Sequence, residues 1–124
     1  MRDGKYVVLC VDDDEDVLDA LESILESHGY VATRAQSAAE GLATYDEVEP
    51  DFLFVDIMME QMDAGLGLLS DLRTRGNKAP VYLLSSVGGQ LAGMTSPVDV
   101  GAQGIMEKPV DSQKILNLLS AKLQ

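Results

Sequence analysis

The chain has 124 residues, 46% of them hydrophobic, and its nine Lys and Arg against 21 Asp and Glu give a formal net charge of −12. The length fits one domain, residues 1–124, which buries roughly two-thirds of its unfolded surface. The negative charge disfavours attraction to phosphate backbones and anionic lipid, so neither nucleic acid nor a membrane is an expected partner. The amino terminus holds no apolar stretch of signal or membrane-spanning length, and a cytoplasmic location is therefore expected.

The first third of the chain alternates strand and helix patterns. Residues 5–11, KYVVLCV, form an apolar run typical of a strand buried on both faces, and the single cysteine, Cys10, is expected to be a core residue within it. From Val17 apolar residues recur with a helical period until Gly29, which is expected to end the helix. Residues 30–35, YVATRA, then alternate as a half-exposed strand.

A second helix is predicted from a capping box. Ser37 is followed three residues later by Glu40, a spacing at which the two side chains satisfy free N–H groups of the first turn. We expect Ala39, Leu42 and Ala43 to lie on the inner side of this helix.

The second half of the chain repeats the alternation. Residues 51–56, DFLFVD, predict a buried strand, and a leucine-rich helix follows and ends near Gly76. Residues 81–85, VYLLS, predict the fourth strand, and residues 105–107 a short fifth one. The last helix carries one apolar stripe, made of Ile115, Leu116, Leu119 and Leu123.

Five strand and helix alternations predict an α/β fold, an open parallel sheet with helices on both faces. In such sheets, functional groups collect at the carboxyl ends of the strands. Polar residues stand at four of these ends: Asp12 and Asp13, Asp56, Ser85 and Ser86, and Lys108. We expect these side chains at one edge of the sheet, with Ser86 as a packing residue.

The chemistry of this edge follows from its charges. Neighbouring carboxylates repel each other by several kcal/mol per pair at an effective dielectric of about 20. A hard divalent cation such as Mg²⁺ offsets that repulsion, and Lys108 supplies a further positive charge. The Ser85 hydroxyl can hydrogen bond to a phosphoryl oxygen, and an aspartate can act as a covalent nucleophile. The set favours phosphoryl transfer to a carboxylate.

In type and order these residues resemble the receiver domain of two-component response regulators, and the resemblance covers essentially the whole chain. The matching positions are Asp12 and Asp13 after the first strand, Asp56 after the third, Ser85 after the fourth, and Lys108 and Pro109 after the fifth. The resemblance implies a flavodoxin-like (βα)5 doubly wound parallel sheet with strand order 2-1-3-4-5. It also implies a signalling domain that catalyses only its own phosphorylation and dephosphorylation, rather than a turnover enzyme.

The same resemblance implies a Mg²⁺ site. Its ligands would be Asp13 directly, Asp12 largely through water, Asp56, and the backbone carbonyl of Met58. No other cofactor is implied.

The resemblance further assigns Asp56 as the phosphoacceptor, with Ser85 binding the phosphoryl group and Lys108 pairing with it. The bond between Lys108 and Pro109 would be cis. The phosphoryl donor would be a sensor histidine kinase or a phosphotransfer protein. Phosphorylation would then switch a surface that docks to a downstream protein, and a homodimer is a further possibility.

Three features depart from the family pattern. Ile105 stands where receivers often carry an aromatic residue, and the loop after Asp56 has Glu60 in place of proline. The glycine-rich residues 87–101 predict only a short or mobile element, with a helix of one or two turns from Pro97.

Several alternatives stay open at the level of sequence. Asp12 and Asp13 could cap the first helix, whereas Asp14 and the acidic residues after it fit its first turn. Asp12 and Asp14 also resemble the nucleophile motif of haloacid-dehalogenase-like phosphatases. A receiver-like module that binds proteins without phosphorylation is a third interpretation. The chain could be a stand-alone receiver or a fragment of a longer protein.

Overall fold

The structure, a computed structural model, describes residues 4–56, 64–85, 102–108 and 110–123, with the backbone alone for residues 64–66. Its elements in chain order are β1 Val7–Val11, α1 Glu15–Ser27, β2 Val31–Ala35, α2 Ala38–Val48, β3 Phe52–Asp56, α3 Ala64–Thr74, β4 Val81–Ser85, β5 Gly104–Glu107 and α4 Ser112–Leu123. Among the helices of these described ranges, none is long and apolar enough to cross a membrane.

The five strands form one sheet in which all neighbours are parallel, in the order β2-β1-β3-β4-β5. This confirms the predicted flavodoxin-like order. In the register of the sheet, Val11 is level with both Ala35 and Val55, and Ser85 is level with Glu107. The carboxyl ends of the strands therefore meet along one edge.

Helices cover both faces of the sheet, as the alternation predicts. On one face, α2 and α3 pack against a cluster that includes Leu53, Val55 and Leu83. On the other face, α1 and α4 pack against a cluster that includes Val8, Cys10 and Phe54. The central strands β1 and β3 are buried along their whole length, which explains why their sequences are continuous apolar runs.

The inner side of α2 differs from the predicted one. Leu42 packs against the core as predicted, but Ala39 and Ala43 are exposed, so the prediction is wrong for those two residues. The buried residue is Gly41, at which an added Cβ would lie only 3.1 Å from Cγ2 of Val11. The missing side chain lets the helix approach the sheet there, and residues two positions away along a helix point to the opposite side.

The helix boundaries follow the capping signals in the sequence. The backbone N–H of Glu40 donates to the hydroxyl of Ser37 over 3.1 Å, so Ser37 caps α2 as predicted. Gly29, just beyond α1, has a φ of 86°, a conformation that glycine adopts without strain. The last helix, α4, begins after Asp111, whose carboxylate accepts the N–H of Lys114 over 3.1 Å.

Several predictions lie outside the described residues. They concern the loop with Glu60, the carbonyl of Met58, Ser86, the short helix from Pro97, and the bond to Pro109. These stay predictions.

Candidate functional site

Three carboxylates converge at the carboxyl edge of the sheet. Asp12 follows β1 directly, Asp13 is next to it, and Asp56 is the last residue of β3. Each offers one oxygen, and these oxygens lie within 4.8 Å of one another. Asp12 and Asp56 are 0% and 4% exposed, whereas Asp13 is open to solvent. The site is therefore a small acidic pocket with one exposed carboxylate.

The Asp12 side chain is held in place by the backbone around it. Its own N–H donates to the carbonyl of Ala35 over 3.0 Å, and its Oδ1 accepts the N–H of Asp14 over 2.9 Å. Its Oδ2 is buried and accepts no hydrogen bond of regular geometry from the described residues. That oxygen faces the side-chain ammonium of Lys108.

Lys108, the cation of this site, follows β5. Its Nζ lies 2.7 Å from Oδ2 of Asp12 and 3.3 Å from Oδ1 of Asp56. Partial burial acts to lower the pKa of Lys108, but the carboxylates of Asp12 and Asp56 outweigh burial, so that the pKa is raised. The lysine is accordingly a permanent ammonium at neutral pH.

Ser85 reaches the same edge from β4. It is 8% exposed, and its backbone carbonyl accepts the N–H of Lys108 over 2.7 Å. This bond ties the end of β4 to the residue that carries the ammonium group. The structure thus brings together Asp12, Asp13, Asp56, Ser85 and Lys108, the predicted site residues that it describes.

The acidic residues after Asp13 serve the helix. The carboxylate of Asp14 accepts the N–H of Asp16 over 2.9 Å and caps α1, with Glu15 and Asp16 in the first turn. The hypothesis that Asp12 or Asp13 is the cap is therefore wrong. The phosphatase interpretation loses support as well, because it needs Asp14 as a general acid facing the nucleophile, and this carboxylate is directed at its own helix.

Sequence reasoning missed how closely Lys108 approaches Asp12. The family resemblance implies that Lys108 pairs with a phosphoryl group on Asp56, yet its shorter contact is with Asp12. No signal in the sequence gives this distance, because it depends on how far β5 lies from β1 across the sheet.

The donor set fits a hard divalent cation. Three carboxylates against one ammonium leave the pocket with a net negative charge. Carboxylate oxygens are the ligands that Mg²⁺ prefers.

Comparison with known proteins identifies the family. The family model of the response regulator receiver domain matches residues 8–120 of the chain. The chain belongs to the response regulator receiver domain family. Receiver domains are signalling modules of two-component systems rather than turnover enzymes. They are generally Mg²⁺-dependent. Response regulators interact with histidine kinases or phosphotransfer proteins.

Individual relatives agree with this assignment. The receiver domain is 34% identical over 115 residues to the photosynthetic apparatus regulatory protein RegA of Cereibacter sphaeroides, and this match covers 93% of the chain and 61% of RegA. It is 31% identical over 113 residues to the chemotaxis protein CheY of Halobacterium salinarum, covering 91% of the chain and 92% of CheY. The chain thus spans less than two-thirds of RegA but nearly all of CheY.

A solved structure supports the fold. The chemotaxis protein CheY4 of Vibrio cholerae superposes with a TM-score of 0.86 at 24% identity. The superposition covers 97% of this receiver domain and 100% of CheY4. At that identity the likeness concerns the fold alone, and it agrees with the strand order described above.

Proposed function

We propose that residues 1–124 form one receiver domain that accepts a phosphoryl group on Asp56. The observation that carries the proposal is the convergence of Asp12, Asp13 and Asp56 with the Lys108 ammonium at one edge of the sheet. The family assignment makes two-component signalling the setting of this chemistry.

The three carboxylates and the backbone carbonyl of Met58 would hold a Mg²⁺ ion. When bound, that ion supplies positive charge that offsets the phosphoryl oxygens as they approach the pocket. Asp12 and Asp13 contribute charge and position, while Asp56 is the carboxylate that reacts. Because Oδ1 of Asp12 accepts an N–H and the ammonium of Lys108 lies 2.7 Å from its Oδ2, Asp12 would act on the ion largely through water, as the resemblance implies.

In the transfer step, a carboxylate oxygen of Asp56 attacks the phosphorus of a phosphohistidine. The new O–P bond forms as the P–N bond breaks, and the electron pair of that bond stays on the imidazole nitrogen. Lys108 and the hydroxyl of Ser85 bind the transferred phosphoryl oxygens. The product adds roughly −1.5 to −2 charge at the strand ends, next to Lys108.

The phosphoryl donor is a sensor histidine kinase or a phosphotransfer protein, and the phosphorylated domain docks to a downstream protein. This chain does not bind nucleic acid directly, in keeping with its net charge of −12. The cytoplasmic location and a homodimer stay predictions.

The test is the intact mass of the protein after incubation with Mg²⁺ and a small phosphodonor such as acetyl phosphate, and separately with a phosphohistidine donor protein. We expect the gain of one phosphoryl group, labile to hydroxylamine, and no gain for Asp56→Asn or without Mg²⁺. Asp71→Asn is the matched control, because Asp71 is an exposed carboxylate on α3, and it should label as the wild type does. An equal gain in Asp56→Asn, or no gain with either donor, would contradict the proposal.

A further inference from the structure

A cavity of about 420 Å³ lies at the amino edge of the sheet, opposite the carboxylate pocket. Its lining residues lie between positions 45 and 50, where α2 ends and the chain enters β3, and between positions 75 and 79, where the chain passes from α3 to β4. Small-molecule sites in proteins have volumes of roughly 300–1,000 Å³, so this cavity has the size for a small ligand.

Two side-chain contacts hold the walls of the cavity together. The guanidinium of Arg75 donates to both carboxylate oxygens of Asp46, over 2.8 Å and 2.9 Å. The hydroxyl of Tyr45 donates to Oδ1 of Asn77 over 3.0 Å. Both contacts join α2 to the segment after α3, so the cavity is formed before a ligand binds, and little ordering free energy is lost on binding.

Two opposite charges remain in the cavity once Arg75 and Asp46 have paired. These are the carboxylate of Glu49 and the ammonium of Lys78. Neither forms a salt bridge, with the other or with any residue in the described ranges. The two charges therefore line one cavity without neutralising each other, and the ligand that they fit carries both an ammonium and an anionic group.

The backbone at Glu49 supports a binding role for this residue. Its φ is 48°, and no other non-glycine residue has a positive φ in the part of the chain that the structure describes. Helices commonly end on glycine in this left-handed conformation, because a side chain is strained there. A carboxylate at the carboxyl end of a helix also opposes the helix dipole, and the last turn of α2 has no basic residue. Two local preferences are thus broken at one cavity residue, as is typical of functional sites.

We propose that this cavity binds a small zwitterion, whose ammonium group pairs with Glu49 and whose carboxylate pairs with Lys78. Both side chains are exposed, so salt screens the attraction and binding weakens as the ionic strength rises. The site is separate from Asp56, at the opposite edge of the sheet, and does not depend on the proposed phosphoryl transfer.

The test follows the backbone amide signals of the full chain by NMR at low ionic strength while zwitterions of increasing charge separation are added. The probes are glycine, γ-aminobutyrate and ε-aminocaproate, with butylamine and butyrate as probes of a single charge. We expect saturable shifts at the amides of residues 45–49 and 75–79 with at least one zwitterion. Binding of the two single-charge probes should be about fivefold weaker or more.

Variants separate the charge from the backbone at Glu49. Glu49→Gln keeps the strained backbone without the charge and should weaken zwitterion binding about three- to fivefold, as should Lys78→Gln. Glu49→Gly should weaken binding equally and raise the melting temperature by roughly 3–6 °C, because glycine relieves the strain. Glu47→Gln is the matched control: Glu47 is an exposed carboxylate in the same turn of α2 and does not line the cavity. It should bind as the wild type does.

The outcomes decide the proposal. Absence of saturable shifts with every zwitterion overturns it, as does equal binding of butylamine or butyrate. An equally large loss of affinity in Glu47→Gln overturns it too, since the effect would then be one of net charge alone. A Glu49→Gly variant no more stable than the wild type counts against a strained binding residue. Asp56→Asn should bind the zwitterion unchanged, so failure of this inference is distinguishable from failure of the proposed function.

Discussion

At the scale of single residues, burial acts on Lys108 and Cys10 with different results. Burial disfavours the charged form of both side chains. For Lys108, the nearby carboxylates outweigh burial and the ammonium persists. For Cys10, burial is the largest cause and raises the pKa to about 12, with the carboxylate of Glu22 adding to the effect. Lys108 thus keeps a positive charge beside the carboxylates, whereas Cys10 is a core residue, as predicted.

The Cys10 thiol is expected to be inert in the folded protein. Because its pKa is raised, the folded chain holds the thiol proton more tightly than the unfolded chain does. The contribution of this proton to folding stability is therefore fully present below the ordinary pKa of 9.0, and it is lost as the pH rises towards about 12. We expect the iodoacetamide alkylation rate of the native protein to stay low up to about pH 10, while the rate in urea rises near the ordinary pKa. A native rate that follows the unfolded curve would contradict this expectation.

At the scale of elements, the short strand β5 depends on a glycine. Gly104 is level with Tyr82 of β4, and an added Cβ would lie 2.5 Å from Cε2 of the Tyr82 ring. That ring also stacks on Phe52, with centroids 5.6 Å apart. The Tyr82 ring therefore packs over the backbone of Gly104, the first residue of β5, and Lys108 follows the end of this strand.

Gly104→Ala is expected to destabilise the domain by about 1–3 kcal/mol, because the tyrosine ring has to leave its stack on Phe52. The free energy of unfolding in urea measures the effect. The double variant with Tyr82→Leu should be less destabilised than the sum of the two single changes, since the leucine frees the space.

A matched control exists on α3. Gly67 is exposed, and an added Cβ would meet nothing within 4 Å among the described residues, so Gly67→Ala should stabilise by roughly 0.5–1 kcal/mol. Equal effects of the two alanine variants would mean that the ring contact is unimportant.

At the scale of the whole molecule, the net charge of −12 favours cations of any kind. Monovalent salt screens repulsion between exposed carboxylates, whereas a specific site adds stability through binding to the folded state alone.

We therefore expect MgCl₂ to raise the melting temperature more than NaCl at matched ionic strength. Asp13→Asn should remove most of this Mg²⁺-specific increment, because Asp13 is the exposed member of the carboxylate group. The control is Asp46→Asn: Asp46 is exposed near the carboxyl end of α2, where it pairs with Arg75. A Mg²⁺ increment that is unchanged in Asp13→Asn would place the bound ion elsewhere.

Much of this receiver domain could be predicted from its sequence. The buried runs of β1 and β3, the apolar stripes of α1 and α4, and the cap at Ser37 are local patterns, set by the period of each element and by backbone N–H groups that need partners. The order of polar residues at the strand ends also follows from the alternation, because parallel strands direct their carboxyl ends to one edge.

Only the tertiary structure decided the contacts between elements. Which carboxylate takes the Lys108 ammonium depends on distances across the sheet, and the buried Oδ2 of Asp12 gains its partner from a residue 96 positions away in the sequence. The inner side of α2 was likewise decided by the close approach of Gly41 to Val11, which no helical period reveals. Periodicity determines what each element can bury, and packing between elements distant in the sequence determines which atoms meet.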